Sequence, residues 1–131
     1  MPAGEAFTFD QRRSIERARA DAERTSGLAV HVYVGVAGDD PRLTAYRLHG
    51  SLPRHASAVL VLVDPPGRAV EIVTGVEARR WLDDSACALV VLSMQTAFAA
   101  GDLAGGLVHG LYQLGDHAAH PSGHVRGPNF G

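Results

Sequence analysis

Apolar residues recur along the chain with two different periods, and these periods predict its helices and strands. Thr8, followed three residues later by a glutamine, forms a capping-box pattern, and Gly27 suits the end of a helix. Between these caps, Ile15, Ala18 and Ala22 make a narrow apolar stripe at spacings of three and four. The pattern therefore predicts a first helix that covers an apolar layer with one side and faces water with the other.

The spacing then changes from that of a helix to that of strands. Residues 28–36, LAVHVYVGV, alternate valine with other residues, which is typical of a β-strand. Residues 57–64, SAVLVLVD, are apolar on both faces and predict a strand inside the sheet. A PPGR turn joins them to residues 69–74, AVEIVT, and a connection this short can only join antiparallel neighbours.

Three further helices complete the predicted elements. Asp40, followed by a proline, predicts a short helix over residues 41–49. Residues 83–100 contain the β-like segment LVVLS, but a run of about 16 residues without a turn signal favours a buried helix. A last helix begins at Asp102, carries leucines three and four apart, and ends at Pro121. The order of helices and strands indicates a mixed α/β layer.

Composition limits the class of protein. A chain of 131 residues suits a single domain. Its net charge of −2 gives no electrostatic reason to expect a nucleic acid or an acidic membrane as partner. The longest apolar run, residues 58–63, is far shorter than the roughly 20 residues that span a bilayer, and the first residues lack the pattern of a signal peptide. One cysteine, Cys87, fits a reducing compartment. We expect a cytoplasmic protein without a transmembrane segment.

The predicted elements and several short motifs resemble the TPM domain family, which includes thylakoid-lumen phosphatase-like proteins and many uncharacterised bacterial ones. The resemblance spans roughly residues 8–117. It is carried by the order of the elements and by two motifs: Gly75 followed by LDD at residues 82–84, and FAAGDLAGGL at residues 98–107. Both motifs fall in the segments that connect or begin the last two predicted helices.

This resemblance implies a fold and a divided set of functions. The implied fold is a single-domain α/β/α sandwich around a mixed sheet of three to four strands, over residues 1–117. The Gly- and Pro-rich composition that follows predicts a flexible tail over residues 118–131. Some members of the resembled family are acid phosphatases, and some bind calcium through loop carboxylates. Many are membrane-tethered modules of unknown role.

Three aspartates are candidate ligands for Ca²⁺ or Mg²⁺. Asp84 and Asp102 stand where the resembled family has loop aspartates, and Asp83 directly precedes Asp84. Calcium takes about six oxygen ligands, so these carboxylates and that of Glu77 would have to converge. The family's second loop glycine and the glutamate after it appear here as Glu77 and Arg79, and the acidic residue before its central strand is missing. The favoured alternative is that the aspartates cap helices, an interaction of about 0.5–2 kcal/mol.

Trp81, flanked by Arg79 and Arg80, is a candidate contact for a protein partner. Tryptophan and arginine are favoured anchors at protein interfaces. A position of Trp81 in the core or in a lid is the alternative.

Cysteine and histidine offer two further candidates. Cys87 lies near a predicted helix start, so it is either a small buried side chain or a thiol with a lowered pKa. His117, His120 and His124 are spaced so that they could supply three imidazoles to zinc. A proline and a glycine interrupt the chain before the third histidine, which favours a tail that binds metal only weakly.

These observations favour a non-catalytic binding or adaptor module with an unknown protein partner. Its working surface would be the loop from Gly75 to Asp84 together with the start of the last helix at Asp102. The alternative is a divalent-cation-dependent phosphatase that uses the same loop, with carboxylates holding the ion and Arg79 or Arg80 contacting phosphate.

Overall fold

The computed structural model describes residues 7–119, which fold into four helices and a three-stranded sheet. The elements are α1 (Phe9–Ser26), β1 (Ala29–Val34), α2 (Pro41–Gly50), β2 (Ala58–Asp64), β3 (Ala69–Thr74), α3 (Asp84–Ala99) and α4 (Leu103–Ala118). Short 3-10 turns, His55–Ser57 and Ala78–Arg80, precede β2 and α3. Each predicted helix and strand is confirmed in type and order, including the helix over the β-like segment. The predicted helix end at Pro121 and most of the predicted tail lie outside the described residues.

The caps that the sequence predicts are formed. The Thr8 hydroxyl accepts from the Gln11 amide at 3.1 Å, and the Gln11 side chain accepts from the Thr8 amide at 2.9 Å. Gly27 ends α1 in the left-handed conformation, with φ of 75°. Asp40 accepts from the Leu43 amide at the start of α2. Local hydrogen bonding thus sets these helix ends, as the short-range patterns predict.

The sheet is mixed, with strand order β1-β2-β3. β1 and β2 are parallel, in register from Ala29 opposite Ala58 to Val34 opposite Val63, and α2 is the crossover between them. β2 and β3 are antiparallel. All seven residues of β2 are buried, which confirms its predicted central place. We call the end of the sheet where β1 and β2 begin the amino edge, and the end where they finish the carboxyl edge.

Helices cover both faces of the sheet and give an α/β/α sandwich. One core joins the sheet to α1, α3 and α4, and the smaller core on the other face includes Ala45 of α2. Strand residues of the first core are Val30, Val59, Val61, Val63, Val70 and Ile72. Those of the second are Leu60, Leu62 and Val73. The alternation of valine and leucine along β2 therefore decides which layer each side chain enters.

α4 packs between two other helices, and its glycines allow the close approach. A Cβ added at Gly115 would lie 3.1 Å from the Cα of Ala22 in α1. One added at Gly106 would lie 2.7 Å from the Cβ of Ala97 in α3. The Tyr112 hydroxyl donates to Asp21 of α1 at 2.7 Å. Within residues 7–119, no helix combines the length and hydropathy needed to cross a membrane.

Candidate functional site

The loop from Gly75 to Asp83, at the amino edge, is held firmly by its backbone. The Gly75 amide donates to the carbonyl oxygen of Ala58 at 3.0 Å, and the Glu77 amide donates to that of Ala56 at 2.9 Å. A Cβ at Gly75 would lie 2.0 Å from the carbonyl oxygen of His55. Only glycine lets the loop lie so close to the 3-10 turn beneath it, because any other residue collides with backbone atoms.

Two buried side chains anchor the same loop from inside. Ala78 and Leu82 are both fully buried in the core shared with α3 and α4. The Leu82 amide donates to the Ala78 carbonyl oxygen and links the two anchors, while the Trp81 amide donates to the same oxygen and closes the 3-10 turn. Although this loop is an irregular connection, it is thus built like a fixed part of the domain.

Most other side chains of the loop are exposed. Val76 is 71% exposed and Trp81 is 37% exposed, so Trp81 lies at the surface rather than in the core. The Arg80 guanidinium lies 5.8 Å from the centroid of the Trp81 ring, within cation–π range. Arg79 turns back, and its guanidinium donates to the carbonyl of Thr74 at 3.2 Å. Of the three predicted contact residues, Arg80 and Trp81 are thus stacked at the surface, whereas Arg79 braces the loop.

The predicted cation ligands are used as helix caps at two positions. Asp83 accepts from the Ala86 amide at 2.9 Å, and Asp102 accepts from the Gly105 amide at the same distance. Asp84 occupies the first turn of α3, where its charge meets the positive end of the helix dipole. The capping alternative is therefore confirmed for Asp83 and Asp102.

The structure does not bring the three aspartates together. Asp83 and Asp84 lie at the start of α3, and Asp102 lies just beyond its end. Sixteen helical residues, each rising 1.5 Å, separate the two groups by about 24 Å, so one ion cannot contact both. Among residues 7–119 there is no group of three or more histidine, cysteine, aspartate or glutamate side chains suited to hold a metal. The predicted working surface that combines the loop with Asp102 is likewise divided between two ends of the domain.

Cys87 is buried, which confirms the interpretation as a small buried side chain over that of a thiol with a lowered pKa. Burial raises the pKa of its thiol to about 11, and the charges of Asp84 and Asp83 add to the shift. The acidic residues that favour the start of the helix thus disfavour a thiolate beside it. His117 is exposed on α4, and the two later histidines of the proposed zinc set lie outside the described residues.

Two buried polar residues, His49 and Asp64, were not among the candidates predicted from the sequence. His49, in α2, places its Nε2 atom 3.0 Å from the carbonyl oxygen of Ala58. Asp64, the last residue of β2, is 6% exposed and accepts from the amides of Ala37 and Gly67. The sequence offered a signal for Asp64, which directly precedes PPG. That composition is typical of turns that an aspartate carboxylate stabilises.

Comparison with known proteins gives a family and close structural neighbours. The model of the family described as Domain of unknown function (DUF5130) matches residues 2–114. Two uncharacterized proteins of Mycobacterium tuberculosis, from strains CDC 1551 / Oshkosh and ATCC 25618 / H37Rv, are each 30% identical over 101 residues. Those residues are 77% of this chain and 60% of each relative, so the chain spans about 60% of the length of these curated relatives.

Solved structures share the fold. The NMR structure of the BA42 protein from the psychrophilic bacterium Bizionia argentinensis has a TM-score of 0.76 at 20% identity, over 86% of this chain and 81% of that one. The N-terminal domain of the cg2496 protein from Corynebacterium glutamicum has a TM-score of 0.74 at 15% identity, over 96% and 80%. At such identities the similarity shows the α/β fold alone.

Proposed function

We propose that this chain, which belongs to the family described as Domain of unknown function (DUF5130), is a non-catalytic protein-binding module. The contact surface that we propose is the outward side of the amino-edge loop, formed by Val76, Arg80 and Trp81. The observation that carries the proposal is that a loop fixed by backbone hydrogen bonds and buried anchors holds Val76 71% exposed and Trp81 37% exposed. The TPM resemblance stays a prediction beside this family assignment.

Preorganisation supports the proposal. Association costs about 0.5–1.5 kcal/mol for each flexible side chain that becomes ordered. In this loop Gly75, Ala78 and Leu82 already fix the backbone, and Arg80 already lies over Trp81. A partner would therefore meet a surface whose shape is formed in advance, which favours specific binding.

The chemistry of the surface indicates the kind of partner. An exposed valine and a tryptophan offer apolar area, and a guanidinium beside the ring offers hydrogen bonds and positive charge. Such a surface complements a protein with an apolar pocket and a carboxylate at its rim. No comparable observation favours the phosphatase alternative, because Asp102 lies about 24 Å from Asp83 and Asp84 along α3, and the three carboxylates cannot hold one ion together.

A site-specific crosslinking experiment tests the proposal. A photoreactive amino acid replaces Val76 in one variant and Val36 in the matched control. Val36 is 64% exposed and follows β1 at the carboxyl edge, so the control has a similar exposure at the opposite edge. In lysate of the source organism, we expect one discrete adduct at position 76 and none of that size at position 36.

Surface variants then decide whether the adduct reports specific binding. Trp81→Ala and Arg80→Gln should each abolish the adduct at position 76, while far-UV circular dichroism and the melting temperature show that the domain stays folded. Equal adducts at both positions, or adducts that survive both substitutions, would overturn the proposal. Hydrolysis of an aryl phosphate that is lost in Asp84→Ala would favour the phosphatase instead.

A further inference from the structure

We propose that a cleft at the carboxyl edge of the sheet binds a small organic carboxylate with an apolar body. The cleft has a volume of about 480 Å³, within the range typical of small-molecule sites. It lies between the β2–β3 turn and the α3–α4 turn. The residues that decide its chemistry are Asp64, Pro65, Arg68, Gln95, Phe98 and Leu103.

The position of the cleft in the fold is one that favours ligands. β1 and β2 are parallel, and the cleft begins at Asp64, where β2 ends. α2 covers one face of the sheet before β2, and α3 covers the other face after the β2–β3 hairpin. In open α/β sheets, ligands bind in the crevice outside the carboxyl ends of the parallel strands. The amino-edge loop of the proposed protein contact lies at the other end.

The turn that forms one wall is built around a buried carboxylate. One oxygen of Asp64 accepts from the Ala37 amide at 3.0 Å, and the other accepts from the Gly67 amide at 3.1 Å. A Cβ at Gly67 would lie 2.6 Å from the Asp64 carboxylate, so glycine is needed there. Both oxygens of Asp64 are thus engaged, and the carboxylate serves to shape the turn.

Arg68 follows this turn in a backbone conformation that arginine rarely adopts. Its φ is 55°, in the left-handed region, where a side chain costs energy. Within residues 7–119 its guanidinium has no ion-pair or hydrogen-bond partner. The turn therefore directs an unpaired cation beside the cleft.

The other residues that line the cleft indicate what the ligand contains besides its carboxylate. The side-chain amide of Gln95 also has no hydrogen-bond partner among the described residues, and it adds a second donor. Pro65, Phe98 and Leu103 add apolar surface. A guanidinium binds a carboxylate in a planar, two-bond geometry, and the apolar walls suit a hydrocarbon or aromatic body. Asp64 adds a negative charge to the lining, but both of its oxygens already accept hydrogen bonds from backbone amides, so the unpaired Arg68 is the charged group left to bind a ligand.

Titration of the ¹⁵N-labelled chain with 3-phenylpropionate tests the proposal. We expect amide shifts confined to residues 64–69 and 95–103. The neutral analogue 3-phenylpropionamide should bind at least about tenfold more weakly, a factor that corresponds to about 1.4 kcal/mol. Inorganic phosphate, which has the charge without the apolar body, should also bind more weakly by about that factor.

Two arginine substitutions make the test specific. Arg68→Gln should weaken binding at least about tenfold, whereas Arg12→Gln, on the exposed side of α1, should leave it unchanged. Gln95→Met, which keeps the length of the side chain and removes its amide, should weaken binding by a smaller factor. No localised shifts, equal binding of the amide, equal binding of phosphate, or unchanged binding in Arg68→Gln would each overturn the proposal. Because the cleft and the amino-edge loop are separate, failure here would leave the crosslinking result untouched.

Discussion

Substitution of Gly75 by alanine is the most direct test of how the amino-edge loop is held. The added Cβ would lie 2.0 Å from the carbonyl oxygen of His55 and 2.3 Å from that of Ala56. Both neighbours are backbone atoms, so no side chain can rotate away. Since ordinary contacts to a Cβ begin near 3.4 Å, the loop and the 3-10 turn must move apart by more than an ångström.

The expected loss of stability follows from that displacement. It would break the hydrogen bonds from the Gly75 and Glu77 amides, which contribute about 0.5–1.5 kcal/mol each. Residual crowding costs about 1–3 kcal/mol more. We therefore expect the free energy of unfolding to fall by about 2–6 kcal/mol, a large share of the roughly 5–15 kcal/mol that keeps a domain folded.

Urea denaturation followed by circular dichroism measures this effect. For a domain of this size, the midpoint should fall by about 1–3 M. Gly50→Ala is the matched control, because Gly50 lies at the end of α2 and a Cβ there would have no neighbour within 4 Å. Alanine at position 50 should be neutral or stabilising by up to about 1 kcal/mol. If Gly75→Ala changed stability by less than about 0.5 kcal/mol while Gly50→Ala behaved as expected, the account of the loop would be refuted.

Four further outcomes are expected. Asp102→Ala should destabilise the domain by about 1 kcal/mol in urea denaturation while Asp102→Asn, which can still cap α4, costs less; equal losses would contradict the capping role. Alkylation of Cys87 at pH 8 should be about a hundredfold slower in the folded protein than in urea, because burial raises the pKa of its thiol from 9.0 to about 11. Because the unfolded chain then loses this proton at a lower pH than the folded one, the free energy of unfolding should fall as the pH rises from 9 towards 11. Leu111→Ala should cost about 2–5 kcal/mol, since Leu111 is fully buried, and a smaller loss would mean that the core closes around the gap. Tyr112→Phe should cost about 0.5–1.5 kcal/mol by removing its bond to Asp21, and an unchanged midpoint would show that this exposed bond adds nothing.

The predicted cation site was inconsistent with another prediction from the same sequence, the helix between its aspartates. Asp83 and Asp102 were both recognised as helix caps, and both are. A helix of about 16 residues was also predicted between them. At 1.5 Å per residue, that length already excludes a shared ion. The resemblance in motif placed the aspartates in one site, and the geometry of the predicted helix was the stronger constraint.

The sequence left two alternatives open for Cys87. Nearness to a helix start favours a thiolate, whereas the apolar neighbours favour a small buried side chain. The packed core decides between them, because burial dominates the raised pKa of the thiol. The contributions of Asp83 and Asp84 point the same way and could have been anticipated, because both are adjacent in sequence and bear the wrong charge.

What the sequence determined by itself was the set of elements and their ends. Thr8, Gly27, Asp40, Asp83 and Asp102 act through hydrogen bonds to amides within four residues, or through a conformation of a single residue. Such interactions are local, so the pattern that encodes them is readable along the chain. The uninterrupted apolar run of residues 58–63 likewise determined which strand is buried on both faces.

What only the tertiary structure decided was which of these pieces meet. The sequence predicted one surface from the amino-edge loop and Asp102, whereas the packed domain puts them at opposite ends of α3 and instead brings Arg68 and Gln95 to the lining of one cleft. These two residues come from segments that share no short-range pattern. Their meeting depends on how the apolar faces of α3, α4 and the sheet fit together, and side-chain packing of that kind is set by the whole core at once rather than by any one stretch of residues.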